Sequence, residues 1–64
     1  MTHEMLLVVA RGAVDRHLGD LDPDADSLYD EIFTLAHDAL SDVGADLKQC
    51  IEIAQELALS MTQP

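Results

Sequence analysis

The chain has 64 residues and a formal net charge of -10, from 13 acidic and 3 basic side chains. Its length allows one small domain, which we place over residues 1–64. Nucleic acid and anionic membranes are excluded as expected partners, because the few cations cannot neutralise a phosphate lattice that the surplus negative charge repels. A basic or amphipathic protein surface is the better expectation.

The single cysteine, Cys50, cannot form an intramolecular disulfide, which argues against a cross-linked secreted scaffold. The apolar run at residues 5–10 is shorter than the roughly 7 to 15 apolar residues of a signal peptide and the roughly 20 of a membrane span. We therefore expect a cytoplasmic protein.

The first segment, about residues 2–18, is predicted to be a helix that is apolar around most of its circumference. Only two other helices can cover it, so the surplus apolar surface predicts self-association, with Gly12 and Ala13 permitting close backbone approach. His17 suits the negative end of this helix. The alternative is a short strand at residues 5–9, which would need a partner strand from a second chain.

An acidic turn at residues 19–24 separates this segment from a second helix at about residues 25–43. Asp24 or Asp26 is the expected N-cap, and Gly44 is placed to end the helix. At 100° per residue the apolar positions share one arc of about 160°, while the polar positions, His37 among them, fill the opposite side. The predicted apolar arc consists of Leu28, Tyr29, Ile32, Phe33, Leu35, Ala36, Ala39, Leu40 and Val43.

A third helix is predicted at about residues 46–62, with Ile53 beside its apolar stripe and Leu59 outside it. The stripe consists of Leu47, Cys50, Ile51, Ala54, Leu57, Ala58 and Met61. The fold prediction is therefore an all-α bundle of three helices that is completed by homodimerisation. Its predicted core comprises Leu7, Val14, Leu18, Leu28, Ile32, Phe33, Leu35, Ala36, Leu40, Leu47, Ile51, Ala54, Leu57 and Met61.

The acidic turn contains the one motif-like string of the sequence. A twelve-residue calcium loop needs oxygen ligands at positions one, three and five, a carbonyl at seven and a bidentate glutamate at twelve. Those steps are occupied by Asp20, Asp22, Asp24, Asp26 and Glu31. The string resembles the EF-hand loop, which implies a calcium-responsive helix–loop–helix. It departs from that family at Ala25, where glycine is required, at Ser27 and at Leu28, and Pro23 stiffens it.

The same aspartates also serve as helix caps, and capping is the interpretation that we favour over a metal site. No two histidines are spaced as ligands on one helical face, and Cys50 lies in an apolar stripe, where it is expected to be a small buried side chain. No glycine-rich phosphate loop or nucleophile elbow is present in the sequence. The prediction is a protein without catalytic residues or cofactor.

The expected function is a non-catalytic protein–protein interaction module, a small acidic adaptor or inhibitor. Spaced carboxylates on helices can compete with nucleic acid for a basic protein, as in small phage-encoded inhibitors and antitoxins. The predicted partner-binding residues are Asp30, Asp38, Asp42, Asp46, Leu6 and Val9. Besides the calcium-responsive module, the alternative is a salt-adapted regulatory or structural homodimer, whose negative surface serves solubility.

Overall fold

The computed structural model describes residues 2–22 and 26–63. Three helices follow one another along the chain: α1 (His3–Arg16), α2 (Leu28–Asp42) and α3 (Leu47–Thr62). A short 3-10 turn, Leu18–Asp20, follows α1. The all-α prediction is confirmed. The alternative of a strand at residues 5–9 is wrong, because those residues lie within α1.

Side chains next to the first turns fix where α1 and α3 begin. The amide of Met5 donates to Thr2 Oγ1 at 3.2 Å, so Thr2 is the N-cap of α1. Asp46 and Gln49 form a capping box at the start of α3, in which the Asp46 amide donates to Gln49 Oε1 at 3.3 Å. These bonds satisfy amides that the first helical turn leaves without an intrahelical acceptor.

The start of α2 differs from the prediction. Its N-cap is Ser27, and the Glu31 amide donates to the Ser27 carbonyl at 2.9 Å. Asp26 lies one residue before this cap, and Asp24 lies outside the described residues. The helix therefore begins about three residues later than the polar pattern suggested, because acidic side chains in this stretch mark a turn as readily as a helix start.

Gly44 ends α2, as predicted. Its φ of 82° is the left-handed conformation that glycine adopts without strain. The Ala45 amide donates to the Leu40 carbonyl and the Gly44 amide to the Ser41 carbonyl, each at 3.1 Å. This pair of bonds is a Schellman motif, which satisfies the last carbonyls of α2 and turns the chain into α3.

The core is built from one face of each helix. Its fully buried alanines at positions 10, 36, 54 and 58 let the helix backbones come close together. The buried cluster consists of Leu6, Ala10, Val14, Ile32, Ala36, Leu40, Cys50, Ile53, Ala54, Leu57 and Ala58. Partly buried side chains pack against this cluster, and those that the sequence had placed in the core are Leu7, Leu28, Phe33, Leu35 and Met61.

Three residues predicted to be core are exposed: Leu18 at 50%, Leu47 at 68% and Ile51 at 43%. Leu18 lies in the 3-10 turn beyond the end of α1. On α3 the buried face is rotated towards Ile53, which is fully buried. Leu47 and Ile51 lie at the opposite edge of the apolar arc of α3 and remain exposed.

We predict opposite effects of alanine at two glycines. Gly44→Ala should destabilise the fold by about 1 kcal/mol, because alanine is strained at this positive φ. Gly12→Ala should stabilise it by about 0.5–1 kcal/mol, because a Cβ at Gly12 meets no atom within 4 Å and alanine favours a helix. Urea unfolding of the monomer measures both, and equal effects at the two positions would contradict this account of the turn.

Two isoleucines on α3 provide a second prediction. Ile53→Asp should unfold the protein, because a charge at a fully buried site costs more than the roughly 3–10 kcal/mol by which so small a domain is stable. Ile51→Asp should leave the fold intact, since that side chain is 43% exposed. Circular dichroism measures the helix content of each variant. If Ile51→Asp unfolded the protein and Ile53→Asp did not, the assignment of the buried face would be wrong.

Candidate interaction surfaces

The outward side of α2 carries only acidic charge. Asp30, Glu31, Asp38 and Asp42 are all exposed on it, and we call these residues the acidic face. Three of them were predicted to contact a partner. No lysine or arginine occurs in α2, and the face extends for about 18 Å at the helical rise of about 1.5 Å per residue.

No described basic side chain neutralises the acidic face. Among the described residues, Lys48 and Glu52 form an ion pair at 4.0 Å, and His3 Nε2 lies 3.2 Å from Glu56 Oε2. Both pairs involve α3 and leave α2 untouched. The carboxylates of the acidic face are therefore available to cations from outside the chain.

The two ends of the acidic face have different energetics. Asp30 and Glu31 lie in the first turn of α2, where the helix dipole favours negative charge. Asp42 is the last residue of α2, at the negative end of that dipole, where an acid is unfavourable by about 0.3–1 kcal/mol. Asp38 is one turn earlier, and like charges at this spacing cost a further 0.2–0.5 kcal/mol or so. This end of the face therefore lowers the stability of α2.

Asp46, the fourth predicted acidic contact, has a structural position. It is exposed and forms the capping box at the start of α3 with Gln49. A substitution at Asp46 would thus change helix capping as well as surface charge. This makes the residue a poor probe of partner binding.

Of the two α1 residues predicted to contact a partner, Val9 lies partly at the surface and Leu6 does not. Leu6 is 2% exposed and belongs to the core, so its assignment to a partner surface is corrected. Met5 and Val8 are 53% and 72% exposed, while Val9 and Gly12 are half-buried. Their spacing of i, i+3, i+4 and i+7 puts them on one side of the helix, which we call the outer α1 face.

A shallow groove of about 490 Å³ borders the outer α1 face. One wall is α1, with Leu7 and Val8, and the other is α3, with Leu57 and Ser60. The exposed apolar surface of α1 therefore continues towards α3, and a partner helix on the outer α1 face would also meet the rim of this groove.

The predicted calcium ligands do not form a cluster in the parts of the chain that the structure describes. Asp20 lies in the 3-10 turn and Glu31 in the first turn of α2, while Asp24 lies outside the described residues. No three His, Cys, Asp or Glu side chains among residues 2–22 and 26–63 lie close enough to hold a metal ion.

The histidines and the cysteine occupy ordinary structural positions. His37 is half-buried and its ring stacks on Phe33, with centroids 6.0 Å apart, although the wheel placed it on the polar side. Phe33 in turn stacks on Tyr29 at 6.3 Å, because side chains at i and i+4 meet on a helix. His17 is the exposed C-cap of α1. The burial expected of Cys50 is confirmed at 2% exposure.

No protein-family model, curated protein or solved structure matches this chain. Within residues 2–22 and 26–63 no helix has the length and apolar character to cross a bilayer.

The position of Asp42 gives a third prediction. Asp42→Lys should raise the free energy of unfolding by about 1 kcal/mol at low salt, because it favours the helix dipole and replaces repulsion from Asp38 with attraction. Asp30→Lys is the matched control, since the same charge change in the first turn removes a favourable dipole interaction. Thermal unfolding at low and high salt measures both variants, and equal stabilisation by both would show that only net charge matters.

Proposed function

We propose that this protein is a non-catalytic interaction module that binds a basic surface of another protein through the acidic face, as an adaptor or inhibitor in the cytoplasm. The observation that supports this proposal is the set of exposed carboxylates on α2 that no described basic side chain neutralises. Two of them, Asp38 and Asp42, lie where they reduce the stability of their own helix.

The charge density of the acidic face suits a protein that otherwise binds nucleic acid. Its four carboxylates extend over about 18 Å of helix. Along one strand of duplex DNA the same length holds about five phosphates, at roughly 3.4 Å each along the axis. A basic surface that accommodates a phosphate row can therefore meet a comparable number of negative charges on α2.

A salt-adapted composition is the competing explanation of the acidic surface. In that case the acids act through their total number, and one exposed carboxylate is equivalent to another. If the protein binds a partner through the acidic face, the affinity depends on where each carboxylate lies as well as on the total charge. Variants with equal net charge therefore separate the two explanations.

We predict that Asp38→Asn with Asp42→Asn weakens binding of the native partner by about tenfold or more, because charged contacts across an interface are lost. The partner is captured on the wild-type protein from the native cell at low salt and identified by mass spectrometry. Binding of that purified partner is then titrated against each variant, and the affinity should fall as salt is added.

The matched control is Asp15→Asn with Glu52→Gln, which removes the same charge from exposed positions on α1 and α3. This control should retain the partner with nearly unchanged affinity. Equal losses in the two double variants would support the salt-adapted explanation. Retention of the partner by the α2 double variant would contradict the proposal.

A further inference from the structure

The outer α1 face leaves apolar side chains of α1 exposed. Val8 is 72% exposed and Met5 53%, and they lie on the side of α1 that faces away from the core residues Leu6 and Ala10. Neither α2 nor α3 covers this side. A second molecule can therefore cover the apolar side chains exposed there.

The distribution of charge over the helices indicates that the second molecule is another copy of this chain. α1 has two acids and two arginines and hence no net charge, whereas α2 has a net charge of -4 and α3 of -1. Two copies of a chain with a charge of -10 repel each other. Their mutual repulsion is smallest when they approach through α1, because α1 has no net charge and the acids of α2 then remain at a distance.

The outer α1 face is also complementary to itself under a two-fold rotation. Its four positions are symmetric about the midpoint between Val8 and Val9, so antiparallel pairing places Val8 opposite Val9 of the second copy. Met5 then lies opposite Gly12 of the second copy. Because Gly12 has no side chain and a Cβ there would meet no atom of its own chain within 4 Å, the larger Met5 side chain of the second copy can lie against it.

We propose that the outer α1 face binds the same face of a second copy, with the two α1 helices antiparallel about a two-fold axis near Val8 and Val9. The contact is isologous, as in most small homodimers. It goes beyond the proposed binding of a basic partner and uses a different surface. Each copy of the dimer keeps its acidic face uncovered.

The dimer depends on protein concentration. A stable interface buries about 800 Å² per partner, nearly a fifth of the 4292 Å² surface of this chain. One helix stripe supplies less than that. The association therefore strengthens over the micromolar to millimolar range, and it strengthens further with salt, because salt screens the repulsion between two acidic chains.

Sedimentation equilibrium of the full chain tests the proposal. The weight-average mass of the wild type should rise from 7.0 kDa towards twice that value with concentration, and more steeply at about 0.5 M than at about 0.05 M salt. Val8→Glu should remain monomeric, because it places two carboxylates within the paired stripes. Its helix content, measured by circular dichroism, should not change, since Val8 is exposed.

Leu47→Glu is the matched control, with the same charge change at an apolar residue that is 68% exposed on α3. This variant should still dimerise. Gly12→Ala should also weaken the dimer several-fold, although it stabilises the monomer, because its methyl group occupies the space that Met5 of the second copy needs. A structural defect could not produce that combination.

A wild-type protein that stays monomeric at millimolar concentration would overturn the proposal. Loss of the dimer in Leu47→Glu with retention in Val8→Glu would overturn it too, by moving the contact to α3. The double variant Asp38→Asn with Asp42→Asn should still dimerise. The same variant should lose binding to the basic partner. The two proposals can therefore fail independently.

Discussion

The constraint on which this structure depends is that each of three helices can bury only one side. The inner faces carry fully buried alanines together with large side chains such as Leu6, Ile32 and Leu40, and these side chains fill the core. Every apolar residue outside the three inner faces remains at the surface. Met5 and Val8 on α1 and Leu47 and Ile51 on α3 are the result.

The negative charge is separated from much of that apolar surface. α2 has a continuous acidic face and no basic residue, while α1 balances its acids with arginines. Acids at the C-terminal end of α2 oppose the helix dipole and each other, so local stability does not account for their positions. Their positions are explained instead by a requirement for negative charge at the C-terminal end of α2 or across the whole surface.

The two proposed surfaces complement each other physically. An α1-mediated dimer carries two acidic faces, so a partner with two basic sites, or an oligomeric partner, would be bound with higher apparent affinity than by one chain. Salt acts on the two contacts in opposite directions, since it screens attraction at the acidic face and repulsion at the α1 contact. Added salt should therefore weaken binding of the basic partner and strengthen the dimer.

The apolar periodicity of the sequence predicts the three helices and, on α2, the buried face. Ile32, Ala36 and Leu40 are buried as predicted because α2 separates apolar from polar residues cleanly, which leaves one way to bury it. Asp38 and Asp42 are exposed for the same reason, and Gly44 ends α2 because its positive φ suits glycine.

The buried sides of α1 and α3 depend on how the helices pack, which periodicity does not reveal. α1 is apolar nearly all round, so periodicity could not place Leu6 inside and Met5 outside. On α3 the apolar arc is wider than the face that is buried, so Ile53 is buried while Ile51 is exposed. Where a helix has more apolar surface than its neighbours can cover, the neighbours decide which part is buried.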